Sequence, residues 1–442
     1  MIDGTYNILY INAGDGFFPV GNLVSNSLNE SIDTIDSTTR DNAGWKTQTL
    51  TNQSYNLEFN GLLSNAISTT KINYETIKNI KRNKQIIDWK VSDNQLSIEG
   101  GKAQITSLSN ESSTDEFVSF SASLQGYGTF KNYKFEFQVN TSNTGTSNSN
   151  QFTLPLNSSF TGNINVDWGD GTINNISSYN QAEVTHTFPF SGTYDIKISC
   201  VISAGWSFGN TGDCKKMGDI SNWGAFSCTA TSAFAGCSNM TSIGSDVDFL
   251  NQAVNLNGYF DLCGLLGLPS TLTLEKLEEG FQMLRYNSIP ILPSGMLLHN
   301  LKNGGIMFRG NPLTSGLPEG MVLENVTNAF YMFEGCQLPN LPSTLTLLNV
   351  ENASYMLKGN SVTDIPSGVT LPNLNNGANM LTGNTINTTR YSQLLVDLEN
   401  LNTNNNFSFH GGNSQYNTTG QTARNILTAS PRNLTITDGG LA

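Results

Sequence analysis

"TNAFYMFEGC", residues 327–336, holds an alanine, an aromatic pair, a glycine and a cysteine, and its form returns along the chain. "TSAFAGC" begins at Thr231, "GGIMFRGN" at Gly304, "NASYMLKGN" at Asn352 and "GANMLTGN" at Gly377. Aligned on the residue before the Phe or Leu, the phrases fall at Ala233, Tyr259, Met283, Met307, Met332, Met356 and Met380, with spacings of 26, 24, 24, 25, 24 and 24. A proline follows ten or eleven positions later, at Pro269, Pro293, Pro318, Pro342 and Pro366. A fixed period in the twenties is the mark of a repeat architecture, in which each unit buries its apolar edge only against its neighbours. Stacking is expected to align Phe234, Phe260, Leu284, Phe308, Phe333, Leu357 and Leu381 into one buried column. Each such side chain is worth roughly 1.5–3 kcal/mol when fully buried.

Three residues past the column stand Cys237, Cys263, Asn287, Asn311, Cys336, Asn360 and Asn384, and in six units an aliphatic follows two residues later. These positions are read as a structural corner. The backbone turns inward there, and its carbonyls need a buried donor, which Asn supplies as an amide and Cys as a weak S–H. Metal ligation or disulfides are the competing reading. It is disfavoured because neighbouring turns hold Asn, so no four-cysteine cluster forms.

Composition agrees with an extended, β-rich protein. The chain has 442 residues, of which 13% are charged and 37% hydrophobic, and its net charge is −13. Such a length implies two to four domains. The charge divides as −4 over residues 1–140 and −9 over the rest, with no clustered Lys and Arg of the kind that grips nucleic acid. The longest basic run, Lys78, Lys81, Arg82 and Lys84, reads as a solvated helix face. No stretch reads as a signal peptide or reaches the ~20 apolar residues of a membrane span. The chain is therefore expected to be made and kept in a cytoplasm, with its six cysteines as thiols.

Three composition shifts divide it. Residues 1–140 carry alternating strand-like runs, "NILYINA", "SYNLEFNGLL", "QIIDWKV", "EFVSFSASLQGYG" and "KFEFQV", with a helix expected at about 73–83, where Tyr74, Ile77 and Ile80 share a face. Residues 141–150, "TSNTGTSNSN", have no apolar residue and read as a flexible linker. Residues 151–202 form short strands around "VDWGDGT", residues 203–386 are the repeats, and residues 387–442 form a different tail.

Catalytic chemistry is missing. There is no phosphate-binding glycine loop and no H-E-x-x-H, and His186, His299 and His410 are scattered. His186 is expected to serve a strand end. Asp167 and Asp170 flank Trp168, either as a calcium site or, as expected, bonded to nearby amides in a tight glycine turn. Glu30, Asp33 and Asp36, spaced by three, read as a solvated acidic edge rather than paired catalytic carboxylates. Neither an enzyme nor a cofactor is expected.

Families enter on particular stretches. "SNSLNESIDTIDSTTRDNAGWK" at 25–46, "YETIKNIKRNKQIIDWKV" at 74–91 and "AQITSLSNESSTDEFVSFSASLQGYG" at 103–128 resemble the major tail protein of long-tailed bacteriophages, in the correct order over about residues 1–135. That resemblance implies a β-sandwich or barrel with one flanking helix, in hexameric rings that stack into a tail tube and pass DNA without specific binding. It implies tape measure, tail terminator and baseplate proteins as partners, and a place in the virion after assembly in a host cytoplasm. The extended segment Ser25–Thr38 and the loop Thr39–Gln53 would serve ring closure and stacking, with Glu30, Asp33, Arg40, Asp41, Trp45 and Lys46 as interface residues. An intrasubunit loop clamp is the other reading of Arg40, Asp41 and Trp45.

Residues 151–202 resemble an immunoglobulin-like domain of the PKD type, through "VDWGDGT", "THTF" and "GTYDIKI". The repeats resemble bacterial-surface leucine-rich repeats of the BspA type, whose corner is written N/C-x-L. The closing stretch resembles the C-terminal module of surface-exposed repeat proteins and implies a small α/β cap over the open end of a solenoid. The expected whole is mainly β and multidomain: a tail tube domain at 1–140, a linker at 141–150, an Ig-like sandwich at 151–202, a solenoid at 203–386 and a cap at 387–442. Its outer part would contact a host surface glycan or protein. The alternative is a bacterial cell-surface adhesin of Ig-like and leucine-rich modules, which leaves residues 1–135 unexplained.

Overall fold

The computed structural model describes residues 8–12, 17–36, 48–63, 71–92, 98–112, 118–199 and 202–442. The chain divides into two compact units, Met1–Lys134 and Phe135–Ala442.

The first unit is one antiparallel sheet of seven strands: β1 (Ile8–Asn12), β2 (Phe17–Pro19), β3 (Leu23–Asp36), β4 (Gln48–Leu62), β5 (Ile86–Ser92), β6 (Ile98–Glu111) and β7 (Ser119–Asn132). Their order is β2-β1-β5-β6-β7-β4-β3. Alternation puts Leu9 and Ile11, Tyr55, Leu57 and Phe59, Ile87 and Trp89, Ala103 and Ile105, and Phe120, Ala122 and Leu124 on one buried face. Helix α1 (Tyr74–Arg82) adds buried Ile77 and Ile80, and Asn73 caps it by accepting from Thr76 N at 2.9 Å.

The sheet is curled, and chain connectivity requires it. β2 and β3 stand at opposite ends of the order, yet only Val20–Asn22 joins them. Seven strands laid flat would separate those ends by about 29 Å. The connection reaches about 14 Å at most. Ile72 fills the seam: its amide donates to Pro19 O and its carbonyl accepts from Gly21 N, at 2.9 and 2.8 Å.

The second unit begins earlier than its composition suggests. β8 (Phe135–Asn140) lies inside a five-stranded sheet with β10 (Ile164–Asp167), β11 (Ile173–Ile176), β13 (Thr193–Ser199) and β14 (Met217–Asn222), in the order β11-β10-β13-β8-β14. A two-stranded ribbon joins β9 (Gln151–Thr153) to β12 (Thr185–Thr187). The boundary expected at residue 140 therefore falls at 134, because Phe135, Phe137 and Val139 belong to the second core.

The expected linker at 141–150 is also corrected. Thr141 is buried, and Gly192 O accepts from its amide at 2.9 Å. The fully buried ammonium of Lys216 donates to Ser147 O, Ser147 Oγ, Asn148 O and Gln151 O at 3.1, 2.7, 2.7 and 2.8 Å. Asp213, equally buried, accepts from Ser147 N, Ser147 Oγ and Thr153 N at 3.0, 2.6 and 2.8 Å. The segment is polar because its backbone solvates a charge pair that the chain reaches more than sixty residues later.

From Phe208 onward the repeats stack, in one core continuous with the five-stranded sheet. All seven column residues are buried, and the rings of Phe308 and Phe333 stack at 5.5 Å with their planes 1° apart. Alternate amides of each unit donate to the next. Gly304, Ile306, Phe308 and Gly310 bond to Asn328, Phe330, Met332 and Glu334 O at 2.9, 2.8, 3.0 and 2.9 Å. The amides between them close local turns, as in Met307 N to Gly304 O at 3.1 Å. Parallel bridges at Asn255, Glu279, Asn303, Asn328, Asn352 and Asn376 place the strand-like edge before the corner. The prolines start the opposite turn: Pro293 O accepts from Met296 N at 3.0 Å, and Pro342 O from Leu345 N at 3.0 Å.

The path requires a left-handed residue two positions before each column residue. These are Ser232, Gly258, Gln282, Ile306, Tyr331, Tyr355 and Asn379, with φ between 55° and 64°. Four residues later a second left-handed site is glycine in five of the seven units, where the absence of a Cβ removes the penalty. The tail, α2 (Thr388–Leu401), β15 (Ser408–His410), α3 (Thr418–Thr428) and β16 (Thr435–Thr437), continues the stack. Ser408 O and His410 O accept from Gly377 N and Leu381 N at 2.8 and 3.1 Å.

Asp213→Ala should leave the Lys216 ammonium buried without its carboxylate. Urea unfolding is expected to show a loss of about 3 kcal/mol. Amide exchange should quicken first at Ser147 and Thr153.

Candidate functional site

The sequence-derived site residues fall in three places. Glu30 and Asp33 are exposed on β3, the outer strand of the sheet. β4 pairs with β7 only over Asn56–Leu62, whereas it pairs with β3 from Gln48 to Gly61. The β3–β4 hairpin thus runs past the sheet as a two-stranded arm. Ser31 Oγ and Ser54 Oγ meet across it at 2.8 Å, and Val24 and Ile32 stand 66% and 47% exposed. Arg40, Asp41, Trp45 and Lys46 lie outside the described residues.

In the "VDWGDGT" turn, Asp167 Oδ1 accepts from Gly169 N at 3.0 Å and Asp170 Oδ1 from Thr172 N at 2.9 Å. Asp170 Oδ2 meets His186 Nε2 at 2.8 Å, and the imidazole stacks on Trp168 at 4.6 Å. The carboxylates are taken by amides and imidazole, and among the described residues no group of three His, Cys, Asp or Glu could hold a metal ion. Sequence reading singled out Asp170 and His186 separately and missed their pairing. Burial pushes the Asp170 carboxyl up, but the bonds from His186 and Thr172 outweigh it and hold it below its ordinary value.

The corner residues share one geometry. Asn311 Nδ2 donates to Leu284 O and Phe308 O at 2.7 and 2.9 Å, while its Oδ1 accepts from Ile289 N at 3.3 Å. Asn287, Asn360 and Asn384 repeat the pattern, with Nδ2 bonds to Phe260 O, Phe333 O and Leu357 O at 2.9, 2.8 and 2.8 Å. Cys263 and Cys336 reach Phe234 O and Phe308 O through sulfur at 3.1 Å each. A thiol offers no comparable acceptor, so Leu313 N turns to Asn311 O at 2.9 Å instead. Cys237 is buried beside them, and all five described cysteines are free thiols. Burial pushes Cys336 up to about 12, so it stays protonated. These residues hold the stack together and carry no chemistry.

With the arm and the curled sheet established, the comparisons bear on the first unit. Residues 1–132 match the family model described as phage tail tube protein. The N-terminal unit is a phage tail tube domain. Its family is structural rather than enzymatic. Solved structures similar to the tail tube domain include the tail of an empty gene transfer agent particle, refined helically with C6 symmetry. That chain is 18% identical, with 29% of this chain and 97% of that one covered and a TM-score of 0.27. The virion of a native gene transfer agent gives 17%, 29%, 95% and 0.25 for the same quantities. The SPP1 tail tube, from solid-state NMR and cryo-EM, gives 15%, 30%, 79% and 0.26. No curated protein matches the chain.

Two outcomes are expected. Cys336→Asn should alter stability by no more than about 1 kcal/mol, because the amide supplies the lost donor, whereas Asn311→Leu should cost about 1–3 kcal/mol by leaving the buried Ile289 amide without its acceptor. Thermal melts of the two variants check this. Separately, the stability contributed by Asp170 is complete above the ordinary carboxylate range and is lost as pH falls through its lowered value. The unfolding free energy of His186→Asn should therefore fall less steeply with acid than that of the parent, as measured by urea titrations between pH 2 and 6, a window of about four units around the carboxylate range.

Proposed function

We propose that this chain is the structural subunit of a bacteriophage tail tube, with residues 1–134 in stacked hexameric rings and residues 135–442 as external decoration. The match of residues 1–132 to the tail tube family carries the reading. Hexameric rings, a DNA-conducting lumen, and the tape measure, terminator and baseplate partners follow from that membership rather than from the geometry. The β3–β4 arm supports a role in joining subunits: it extends beyond its own sheet and presents Glu30, Asp33, Val24 and Ile32 outward. Its far end leads into the segment that holds Arg40, Asp41, Trp45 and Lys46.

The second unit belongs on the tube's exterior, since more than 300 residues per subunit would block a lumen. Its antiparallel sheets around Trp168 support a PKD-type immunoglobulin-like fold. The period of 24–26 and the Asn/Cys corner support leucine-rich repeats closed by a small α/β module. A net charge of −13 suits a conduit that must release DNA, because like charges repel phosphates. Many copies per tail would turn a weak host contact into attachment. A cell-surface adhesin explains the second unit equally well and leaves residues 1–132 without a role.

The test is negative-stain microscopy of residues 1–134 expressed alone. Rings or tubes are expected. A monodisperse monomer, under conditions where the full chain polymerises, would overturn the reading. Phage truncated after residue 134 should build tails of normal length and adsorb to host cells more slowly.

A further inference from the structure

One face of the repeats carries a continuous row that the stacking does not require. Four units contribute six side chains to it: Arg285, Tyr286, Arg309, Tyr331, Tyr355 and Lys358. Tyr286, Tyr331 and Tyr355 are themselves left-handed residues, and the three cations each directly follow a column residue. Arg309 lies over the rings of Tyr286 and Tyr331, at 5.5 and 4.7 Å to their centroids. Tyr331 and Tyr355 stack at 4.3 Å, 5° apart, and Lys358 lies over Tyr355 at 5.1 Å. Tyr286 lies across Gly310, where any Cβ would come within 2.4 Å of the ring, and 44% of its own surface faces solvent.

The cations are neutralised in place. Arg285 forms a two-pronged pair with Asp261 at 2.7 and 2.8 Å, and Glu334 is shared by Arg309 at 2.5 Å and Lys358 at 3.2 Å. A polyanion would have to displace those carboxylates, and it would approach a chain of net charge −13. The spare N–H groups and lone pairs of such pairs suit hydroxyls, which both donate and accept. Tyr286, flanked by Arg285 and Arg309 at 5.4 and 5.5 Å, adds exposed ring edge and a phenolic hydroxyl to those polar groups, an amphipathic surface that suits a sugar. The row crosses four successive units, whose edges stand close to the ~4.8 Å between hydrogen-bonded strands. That spacing is comparable to the length of one sugar ring, so an extended polymer can follow the row from unit to unit.

We propose that this row is the binding track for a linear, uncharged polysaccharide. The inference rests on the reading of residues 135–442 as the part that meets the host.

The test is calorimetric titration of the full chain with maltohexaose, cellohexaose and chitohexaose, and with heparin as the polyanion. At least one neutral hexasaccharide is expected to bind, more tightly than its own disaccharide and with little dependence on salt. Tyr331→Asn combined with Tyr355→Asn should weaken it about tenfold or more, equivalent to ~1.4 kcal/mol. Asparagine holds the same left-handed site at Asn379, so the backbone tolerates it. Should that pair melt early, Tyr286→Ser provides the same comparison, and Tyr286→Phe should bind as the parent does. Failure of every neutral hexasaccharide, unchanged binding by the variants, or salt-sensitive binding of heparin alone would overturn the inference. None of these results touches the tube reading, which ring formation by residues 1–134 decides.

Discussion

The second unit depends on a single constraint: every main-chain amide in a bend too tight for a strand still needs a partner. The repeats meet it by division. Alternate amides bond forward to the next unit, and the ones between close turns within their own unit. The column of Phe and Leu side chains supplies the apolar burial, but the amide division sets the distance between units and hence the stacking of the rings. The left-handed residues are its conformational cost. Non-glycine residues such as Ile306 and Tyr331 stand where glycine would be easiest, held there by bonds on both sides.

The corner asparagines solve a second form of the same problem. The carbonyls of Phe260, Leu284, Phe308, Phe333 and Leu357 point into the core, where water is absent. A side chain from the following unit must reach them. Asn makes three bonds there and Cys one short contact through its weaker S–H donor. The exchange between them along the chain therefore marks places where the neighbouring backbone finds another way to satisfy one amide.

What the sequence disclosed follows from where the information sits. The column, the corner and helix α1 were legible because each is a spacing of side chains: Phe308 to Phe333, Asn287 to Asn311, Ile77 to Ile80. The allegiance of Phe135–Asn140 was not, since its alternation suits either unit and only pairing with Thr193–Ile198 decides it. Residues 141–150 misled for the same reason, as their order comes from Lys216 and Asp213. The Asp170–His186 pair was seen as two residues and not as one contact. The aromatic and cationic row was overlooked although its positions lie in the same register as the column, because its members differ in type from unit to unit.

The forward-bonding amides have a consequence at the two ends of the stack. From Phe208 to Leu381 their N–H groups point toward the later repeats and the accepting carbonyls toward the earlier ones. Elsewhere in each unit the direction reverses: Lys302 and Asn303 N donate back to Glu278 O, and Val322 N to Leu297 O. The opposed rows leave the stack with little net axial dipole, so its ends differ in hydrogen-bonding capacity rather than in charge. At the first end, Ala233 O and Ala235 O are met by the amides of Phe208 and Asn210 at 3.1 and 3.0 Å. At the last, Ser408 O and His410 O receive the amides of Gly377 and Leu381. The C-terminal module thus supplies acceptors to donors that the final repeat would otherwise expose, as well as a cover for its last apolar layer.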